Sequence, residues 1–413
     1  MTLHLVATYN GTTGCKKADF PGKIALPDFL NKLEKVMAEL LTDEDYIRRT
    51  FELALQARGR TSPNPLVGAV IVRDGRVVGE GFHRQAGLPH AEIEALKAAG
   101  EAARDATLYV NLEPCCHTGR TGPCTEAIIA AGIKRVVAAM ADPNPLVAGK
   151  GFARLKDAGI EVSVGFLEKE ARTLNEAFIK FITTRRPFVV LKVAMSLDGK
   201  IATVTGESRW ITGPEARRYV HELRDSYDAV LVGIGTVLKD DPSLTTRLPT
   251  GGRDPVRVIL DSRARTPLTA RVLNQESAAP TLIAVTGMAP NERVAALRKA
   301  GAEVLVCGPG PAVDLGFLLA ALGEREITSL LVEGGSTVNA SFLLQGLVDK
   351  VVWFIAPLII GGHGAIGPVG GSGVRSLGRA IRLREMHLRQ FGSDLCIEAY
   401  PVWEGTGYGC SPV

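Results

Sequence analysis

A histidine, a glutamate and two cysteines occur at a spacing that suits zinc-dependent hydrolysis. His90-Ala91-Glu92 is followed by Glu113-Pro114-Cys115, and eight residues separate Cys115 from Cys124. A catalytic zinc takes three protein ligands and leaves the fourth position to water. We predict that His90, Cys115 and Cys124 bind one zinc ion per chain. Glu92 is the predicted catalytic residue, because a carboxyl group beside such a water can transfer protons.

The elements around these residues must bring them together. Apolar spacing predicts a helix from about His90 to Ala99 and another over Thr125–Ala131. Cys124 then lies at a helix start, where backbone N–H groups and the helix dipole favour a thiolate. Residues two apart in a regular helix point about 200° apart. His90 and Glu92 can therefore share a site only if His90 lies at or before the first turn.

A structural zinc site is the main alternative for this cluster. Cys116 or His117 would then complete a tetrahedron with the other three ligands. Structural sites usually use closely spaced ligand pairs, which favours the catalytic interpretation. We also expect the Cys116 side chain to diverge from that of Cys115, which makes Cys116 a neighbour of the site.

The pattern around the cluster predicts an alternating α/β sandwich over residues 45–186, after an N-terminal extension (1–44) of unknown role. Asp74-Gly75 is typical of a hairpin turn. The predicted strands are Val67–Val72, Arg76–Gly81, Thr107–Asn111, Val136–Met140 and Val162–Val164. The further predicted helices are Leu26–Leu41, Asp45–Ala57 and Glu168–Thr183.

Arg185-Arg186-Pro187 breaks the pattern, and a second α/β domain is predicted over residues 187–403, before a short tail (404–413). Alternating elements predict a mostly parallel sheet covered on both sides. The predicted strands are Phe188–Ala194, Ala229–Gly233, Val256–Leu260, Thr281–Val285, Glu303–Val306, Ser329–Val332, Lys350–Ile360 and a pair within Met386–Pro401. The predicted helices are Thr212–Asp225, Asn291–Ala300, Asp314–Leu322 and Ser336–Gln345.

Composition limits the function classes. The chain has 413 residues and a formal net charge of only +4, which disfavours nucleic-acid binding through bulk charge. The longest apolar runs fall short of the roughly 18 residues that a membrane span requires. Seven thinly spread cysteines favour a reducing cytoplasm over a secreted disulfide framework.

The first domain resembles a known family. Its motif follows the H-x-E…P-C-x-x-C pattern of zinc nucleobase deaminases, except that eight residues separate the cysteines. That insert resembles the deaminase half of the bifunctional riboflavin-pathway enzymes of the RibD type. The same resemblance extends to three further stretches: Thr61–Gly68, Gly79–His83 and Asp142–Pro145. The resemblance implies a cytidine-deaminase-like fold and a phosphoribosylaminopyrimidine substrate. It further implies substrate contacts at Asn64, His83, His117 and Arg120.

The second domain suggests a phosphorylated cofactor. Glu333-Gly334-Gly335-Ser336-Thr337 follows an apolar strand and opens a helix, where backbone N–H groups can receive phosphate. Gly233-Ile234-Gly235-Thr236 is a weaker signal, since Leu238 replaces the third glycine of a dinucleotide fingerprint.

Three stretches of the second domain resemble the reductase half of the same family. They are Leu191–Ala202, Ser208–Gly213 and Asp240–Arg247. This resemblance implies a dihydrofolate-reductase-like fold, NADPH as cofactor and a homodimer or higher homo-oligomer. The implied cofactor contacts are Ala194, Trp210, Thr236, Asp240, Ser262, Gly335, Ser336, Thr337, Val338, Asn339, Ala340 and Ser341. The implied substrate contacts are Lys192, Ser208, Arg224, Leu244, Arg247 and Glu333.

The sequence therefore predicts a deaminase joined to an NADPH-dependent reductase. Two alternatives stay open at this point. One is a tRNA or free-nucleoside deaminase fused to an unrelated reductase. The other is a binding module with a structural zinc and a second domain that senses NADPH. Surface ion pairing is the simpler role for Arg224 and Arg247, and core packing is the simpler role for Trp210.

Overall fold

The computed structural model describes residues 41–117, 122–144 and 147–403. Three predictions fall on residues outside these ranges: the helix over 26–41 apart from its last residue, the contact at Arg120, and the tail 404–413. From Asp43 onward the described chain forms one unit. In that part of the chain, no helix is both long enough and apolar enough to cross a membrane.

The first sheet has five strands in the order β2-β1-β3-β4-β5. Asp74 and Gly75 have φ angles of 50° and 74°, which a two-residue hairpin turn between β1 and β2 requires. The predicted hairpin is confirmed. The strands are β1 (Gly68–Arg73), β2 (Arg76–Phe82), β3 (Thr107–Val110), β4 (Arg135–Ala138) and β5 (Glu161–Val164).

Six helices surround this sheet in the described residues. They are α1 (Asp43–Leu55), α2 (Ala91–Ala99), α3 (Cys124–Ala130), α4 (Lys150–Asp157), α5 (Glu168–Leu174) and α6 (Glu176–Thr184). The helix predicted from Asp45 begins at Asp43, because three acidic residues in its first turn suit the helix dipole.

The single helix predicted over Glu168–Thr183 is wrong, because the chain breaks between α5 and α6 at Asn175. The side chain of Asn175 accepts a hydrogen bond from Leu66 N at 2.8 Å and donates one to Leu66 O at 3.0 Å. Because Asn175 is held by these bonds to a distant loop, the helix does not continue through it. The helix α4 was not predicted, since its sequence carries only a short apolar pattern.

The second sheet has nine strands in the order β10-β9-β8-β7-β11-β6-β12-β14-β13. All neighbours from β10 to β12 are parallel, and β14 and β13 add an antiparallel edge. The strands are β6 (Phe188–Ser196), β7 (Ala229–Gly233), β8 (Val256–Leu260), β9 (Thr281–Val285), β10 (Glu303–Val306), β11 (Ser329–Val332), β12 (Lys350–Ala356), β13 (Arg382–Phe391) and β14 (Asp394–Val402).

Helices cover this second sheet, as predicted. They are α7 (Pro214–Ser226), α8 (Ile234–Asp240), α9 (Asn291–Lys299), α10 (Leu315–Glu324) and α11 (Ser336–Leu344). Successive strand residues belong to two separate buried clusters, for example Val230 in one and Leu231 in the other. A core therefore lies on each face. The helix α8 was not predicted, and β12 ends at Ala356 where Ile360 was expected.

The two domains meet along the last helix of the first. Lys180 lies 2.8 Å from Asp349, and Lys350 lies 3.1 Å from Glu176. A Cβ atom on Gly323 would lie 2.0 Å from the carbonyl oxygen of Arg185, so a side chain there would force the backbones apart. These contacts connect α6 to the second domain across the predicted boundary.

Candidate active sites

The predicted zinc ligands converge in space. His90 Nδ1 lies 3.2 Å from Cys124 Sγ and 3.5 Å from Cys115 Sγ. Zinc–nitrogen bonds of about 2.0 Å and zinc–sulfur bonds of about 2.3 Å place tetrahedral nitrogen and sulfur ligands about 3.5 Å apart. Within the described residues these three form the one group whose donor atoms could hold a metal, all within 4.8 Å of one another. The donor set and its spacing fit zinc.

Two helix starts position the ligands. His90 is the N-cap of α2, with φ −74° and ψ 164°, so it stands before the first turn and its side chain is free to share a site with Glu92. Cys124 is the first residue of α3, one position earlier than predicted, and its N–H donates to Cys115 Sγ at 3.3 Å. The thiol of Cys115 therefore receives a backbone donor as well as the imidazole.

Electrostatics at the cluster favour a bound cation. The hydrogen bond from the Cys124 thiol, with that from His90, lowers the pKa of Cys115 to about 4. The same shared hydrogen bond raises the pKa of Cys124. The two sulfurs thus hold one proton between them, and a metal ion would take the place of that proton.

Glu92 lies beside this cluster and is 4% exposed. Burial, followed by the negative charge of Cys115, raises the pKa of Glu92. A raised pKa makes this carboxyl group a better proton acceptor, as its proposed role requires. Cys116 is half-buried and His117 is exposed, and neither joins the group of potential ligands. The described residues therefore offer three candidate ligand atoms here.

Asn64 and His83 lie next to the zinc ligands. His83 Nδ1 donates to Pro89 O at 3.1 Å, and its Nε2 accepts from Asn64 Nδ2 at 3.0 Å. The His83 ring packs edge-on against the His90 ring at 5.3 Å. Burial lowers the pKa of His83, which keeps the ring neutral in this arrangement. Both residues therefore orient the segment that carries His90, whatever contact they make with substrate.

Glu113 is a functional residue whose role sequence reasoning missed. Its carboxylate accepts backbone N–H bonds from Asp142 at 3.0 Å, Gly149 at 2.9 Å and Gly151 at 2.8 Å. It thus ties the start of α4 to the strand end that leads into Cys115. A buried acidic residue two positions before a predicted ligand was the available signal.

The second candidate site lies where strands β7, β8 and β11 of the larger sheet end, beside the middle of β6. Leu260 pairs with Gly233, Leu231 with Val332, and Val332 with Leu191. The residues that follow these positions therefore lie together near the carboxyl ends of these strands. They include Lys192, Thr236, Ser262 and Glu333.

A buried ionic cluster lies at this end of the sheet and consists of Lys192, Arg224 and Glu333. Arg224 binds Glu333 through two hydrogen bonds of 2.6 and 3.0 Å, and Lys192 Nζ lies 3.4 Å from the same carboxylate. Burial opposes ionisation of Glu333, but the charges of Arg224 and Lys192 outweigh it and lower the pKa to about 2. Surface ion pairing is therefore the wrong description of Arg224, whose side chain is 11% exposed.

The remaining substrate residues predicted for the second domain lie close by. Arg247 is exposed, and its backbone N–H donates to His221 Nδ1 at 3.3 Å. Burial, with the charges of Arg224 and Arg247, lowers the pKa of His221 to about 4. This histidine was not predicted, although it precedes Arg224 by one helical turn. Leu244 is buried with a φ of 56°, and Ser208 is half-buried.

The start of α11 forms an open cradle. A Cβ atom on Gly335 would meet no atom within 4 Å, whereas one on Gly334 would lie 2.6 Å from the Val338 side chain. Among the described residues, Asn339 Oδ1 is buried without a hydrogen-bond partner. Trp210 is 68% exposed, so the core-packing alternative for it is wrong. The open helix N-terminus fits the phosphate of a cofactor such as NADPH, and Asn339 Oδ1 could accept a hydrogen bond from a hydroxyl or amide group of that cofactor.

The other predicted cofactor residues lie on several elements of the second domain. Ala194 is on β6, Asp240 ends α8 and its carbonyl accepts from Arg209 at 2.6 Å. The carbonyl of Ser262 accepts from Thr286 N at 3.2 Å. The residues of α11 in the predicted set are Ser336, Thr337, Val338, Asn339, Ala340 and Ser341.

Comparison with known proteins matches both domains. The family model for the cytidine and deoxycytidylate deaminase zinc-binding region matches residues 41–140, and that for the RibD C-terminal domain matches residues 187–397. The riboflavin biosynthesis protein RibD of Aquifex aeolicus is 49% identical over 355 residues, covering 86% of this chain and 97% of the relative. Its counterpart in Escherichia coli is 43% identical over 369 residues, covering 86% and 99%.

Solved structures agree with this match. Acinetobacter baumannii RibD (form 1) superposes with a TM-score of 0.78 at 40% identity, covering 87% of this chain and 99% of that one. A Thermotoga maritima diaminohydroxyphosphoribosylaminopyrimidine deaminase/5-amino-6-(5-phosphoribosylamino)uracil reductase gives a TM-score of 0.76 at 41% identity, with the same coverage. The expected fold classes of both domains are confirmed.

Zinc content distinguishes Cys115 from its neighbour Cys116. We expect Cys115→Ser to lower bound zinc from one equivalent to well below one, because a serine oxygen is a poor zinc ligand at neutral pH. Cys116→Ser is the matched control and should keep the full equivalent. Zinc is measured by atomic emission after dialysis. Equal zinc loss in both variants would contradict the three-ligand assignment.

The buried carboxylate Glu333 generates an acid-dependent prediction. Its folded-state pKa of about 2 lies below the ordinary 4.5, so the ionised form stabilises the fold above about pH 4.5, and this contribution disappears as the pH falls toward 2. We expect Glu333→Gln to lower the unfolding free energy at pH 7 by roughly 3–5 kcal/mol, since two buried cations lose their partner. The deficit should stay constant above about pH 4.5 and shrink as the pH falls below that value.

Denaturant titrations at pH 7, 5 and 3 measure this effect, with the exposed Glu324→Gln as control. A deficit that stays constant over this range would show that Glu333 is not the ionised partner of Arg224.

Proposed function

The chain belongs to the RibD family of bifunctional riboflavin-biosynthesis enzymes, and from that premise we propose how its own residues carry out the two reactions. The first domain deaminates 2,5-diamino-6-(5-phosphoribosylamino)pyrimidin-4-one, and the second reduces the ribosyl group of the product to a ribityl chain with NADPH. The observation that carries the first assignment is the cluster of His90 Nδ1 and two cysteine sulfurs beside buried Glu92.

Deamination requires a nucleophilic water and a proton carrier. Zinc bound by His90, Cys115 and Cys124 would lower the pKa of a water molecule toward neutrality. Glu92 accepts the proton of the attacking water, then delivers protons to the pyrimidine ring nitrogen and to the departing ammonia. Its buried position excludes bulk water from this transfer. Asn64, His83, His117 and Arg120 are the proposed contacts to the substrate.

Reduction requires a polarised sugar carbon and a fixed phosphate. NADPH bound at the start of α11 would supply the hydride. Lys192 lies within β6 beside Glu333, where its ammonium group can polarise the carbon that accepts hydride, and Glu333 holds that group in place. Arg224 and Arg247 present permanent planar donors suited to the ribose phosphate. Ser208 and Leu244 complete the proposed substrate wall.

The family match of both halves argues against the two alternatives considered from sequence. An unrelated reductase is excluded because residues 187–397 match the RibD C-terminal domain. A structural-zinc binding module is disfavoured because the Thermotoga maritima structure, which this chain matches over 87% of its length, is named for both enzymatic activities. We also propose a cytoplasmic location, which suits a chain with free thiols at Cys115, Cys124, Cys307 and Cys396.

A homodimer is the proposed assembly. Strand β13 lies at the edge of the nine-stranded sheet and is ten residues long. Met386 and Leu388 on this strand are each 67% exposed. Although β13 also carries charged residues, exposed apolar side chains on a long edge strand are normally covered, which supports pairing of β13 with a second copy.

Ammonia release tests the role of Glu92. We expect Glu92→Gln to retain one zinc and to lose about 10²- to 10⁴-fold in deamination rate, because the amide cannot carry the proton. Glu94→Gln is the matched control, since residue 94 points to another side of α2. NADPH oxidation with the deaminated product added should stay near the wild-type rate. Normal ammonia release by Glu92→Gln would refute the assigned role.

Solution mass tests the dimer. Met386→Glu should shift the chain from dimer to monomer at micromolar concentration, as measured by light scattering after size exclusion. Val77→Glu, at an exposed position of the first domain, should leave the mass unchanged. A monomeric wild-type chain would argue against the proposed edge pairing.

A further inference from the structure

A short segment of the first domain connects the zinc cluster to residues that neighbour the second candidate site. We name Gly59–Asn64 the strap. At one end Asn64 donates to His83, whose ring packs against the zinc ligand His90. At the other end Arg60 donates to both carboxylate oxygens of Asp225 at 2.8 and 3.1 Å, and to the Asp225 carbonyl at 3.2 Å. Asp225 belongs to α7 of the second domain and follows Arg224 directly.

The strap lies against α7 at backbone contact. A Cβ atom on Gly59 would lie 2.2 Å from the carbonyl oxygen of Asp225, and the φ angle of Gly59 is +72°. Only glycine permits both this approach and this conformation. A second contact joins Ser62 Oγ to Thr328 Oγ1 at 3.3 Å. The position of the strap on the second domain is thus fixed at three points.

Asp225 connects the strap to the loop that carries Leu244–Arg247. Its carboxylate accepts from Arg253 N at 2.6 Å, and the Arg253 carbonyl accepts from Thr246 Oγ1 at 2.8 Å. The carbonyl of Thr245 accepts from Arg224 Nη1 at 3.1 Å, which closes a ring of contacts. Arg224 and Arg247 are therefore held by a ring that includes Asp225.

The second strap contact reaches the same ring. Thr328 Oγ1 donates to Asp228 Oδ2 at 2.7 Å, and Arg253 Nη2 donates to Asp228 Oδ1 at 3.1 Å. The Arg60 contact through Asp225 and the Ser62 contact through Thr328 and Asp228 thus both lead to Arg253. This arrangement exceeds what two simply tethered domains require.

We propose that Arg60, in the first domain, is a positioning residue for the substrate pocket of the second domain, acting through Asp225 and Arg253 on Arg224 and on the Leu244–Arg247 loop. The inference rests on the proposed function for the identity of the substrate. Arg60 contacts neither substrate nor cofactor residues directly. Its effect is therefore on the affinity for the pyrimidine phosphate, and NADPH binding at the start of α11 is independent of it.

The test compares Arg60→Gln with Arg58→Gln, which removes the same charge from the same turn and leaves the Arg60–Asp225 contacts in place. Arg60 is 38% exposed and its ion pair contributes little to stability, so both variants should fold. Arg60→Gln is expected to raise the reductase KM for the deaminated pyrimidine phosphate by about 3- to 10-fold. The Kd for NADPH should stay within twofold of wild type, and Arg60→Lys should recover part of the loss.

Hydrogen exchange gives a readout that does not depend on activity. The amides of Thr246 and Arg253 donate to Asp254 and Asp225, so they should exchange faster in Arg60→Gln and at the wild-type rate in Arg58→Gln. Unchanged KM and unchanged exchange in Arg60→Gln would overturn the proposal, as would a matching loss of NADPH affinity. A wild-type chain that does not reduce the pyrimidine phosphate would refute the proposed function, and the exchange rates would still decide the role of Arg60.

Discussion

The approach of one imidazole nitrogen to two cysteine sulfurs is the constraint on which the first domain depends. Those three atoms come from two helix starts and the loop after β3, so each element must end at a fixed place. His83 fixes the segment before His90, and Glu113 fixes the segment before Cys115. The ligands are thus held by neutral and backbone hydrogen bonds that do not compete for the metal. Glu92 can then stay buried and protonatable beside them.

In the second domain, the candidate site is held together by a buried carboxylate and two cations. A carboxylate is buried at the end of β11 and is kept ionised by Arg224 and Lys192. Both cations are thereby held beside Glu333, at the end of the sheet where β7, β8 and β11 finish. Breaking one partner of such a cluster costs far more than the pair contributes, so the cluster also fixes the shape of the pocket. The strap joins this pocket to the zinc cluster through Arg60, so the relative position of the two sites is built into the fold.

Local pattern predicted much of this architecture, because buried parallel strands are apolar runs that stand out in sequence. Five strands of the larger sheet have the predicted ends, and the hairpin at Asp74-Gly75 has the expected turn. Features that depend on distant partners were missed. The break at Asn175 depends on Leu66, and the role of Glu113 depends on backbone groups 29 to 39 residues away. The Arg60–Asp225 contact spans 165 residues and has no local signature. The zinc ligands were predictable because metal chemistry restricts residue types, whereas positioning contacts accept many types.

The coordination of zinc in the purified chain is the most direct test of this account. An X-ray absorption spectrum at the zinc edge should show two sulfur neighbours at about 2.3 Å and two nitrogen or oxygen neighbours at about 2.0 Å, one of them exchangeable. That result corresponds to Cys115, Cys124, His90 and a water. A spectrum with three sulfur neighbours, or with four protein ligands and no exchangeable one, would contradict the catalytic zinc site.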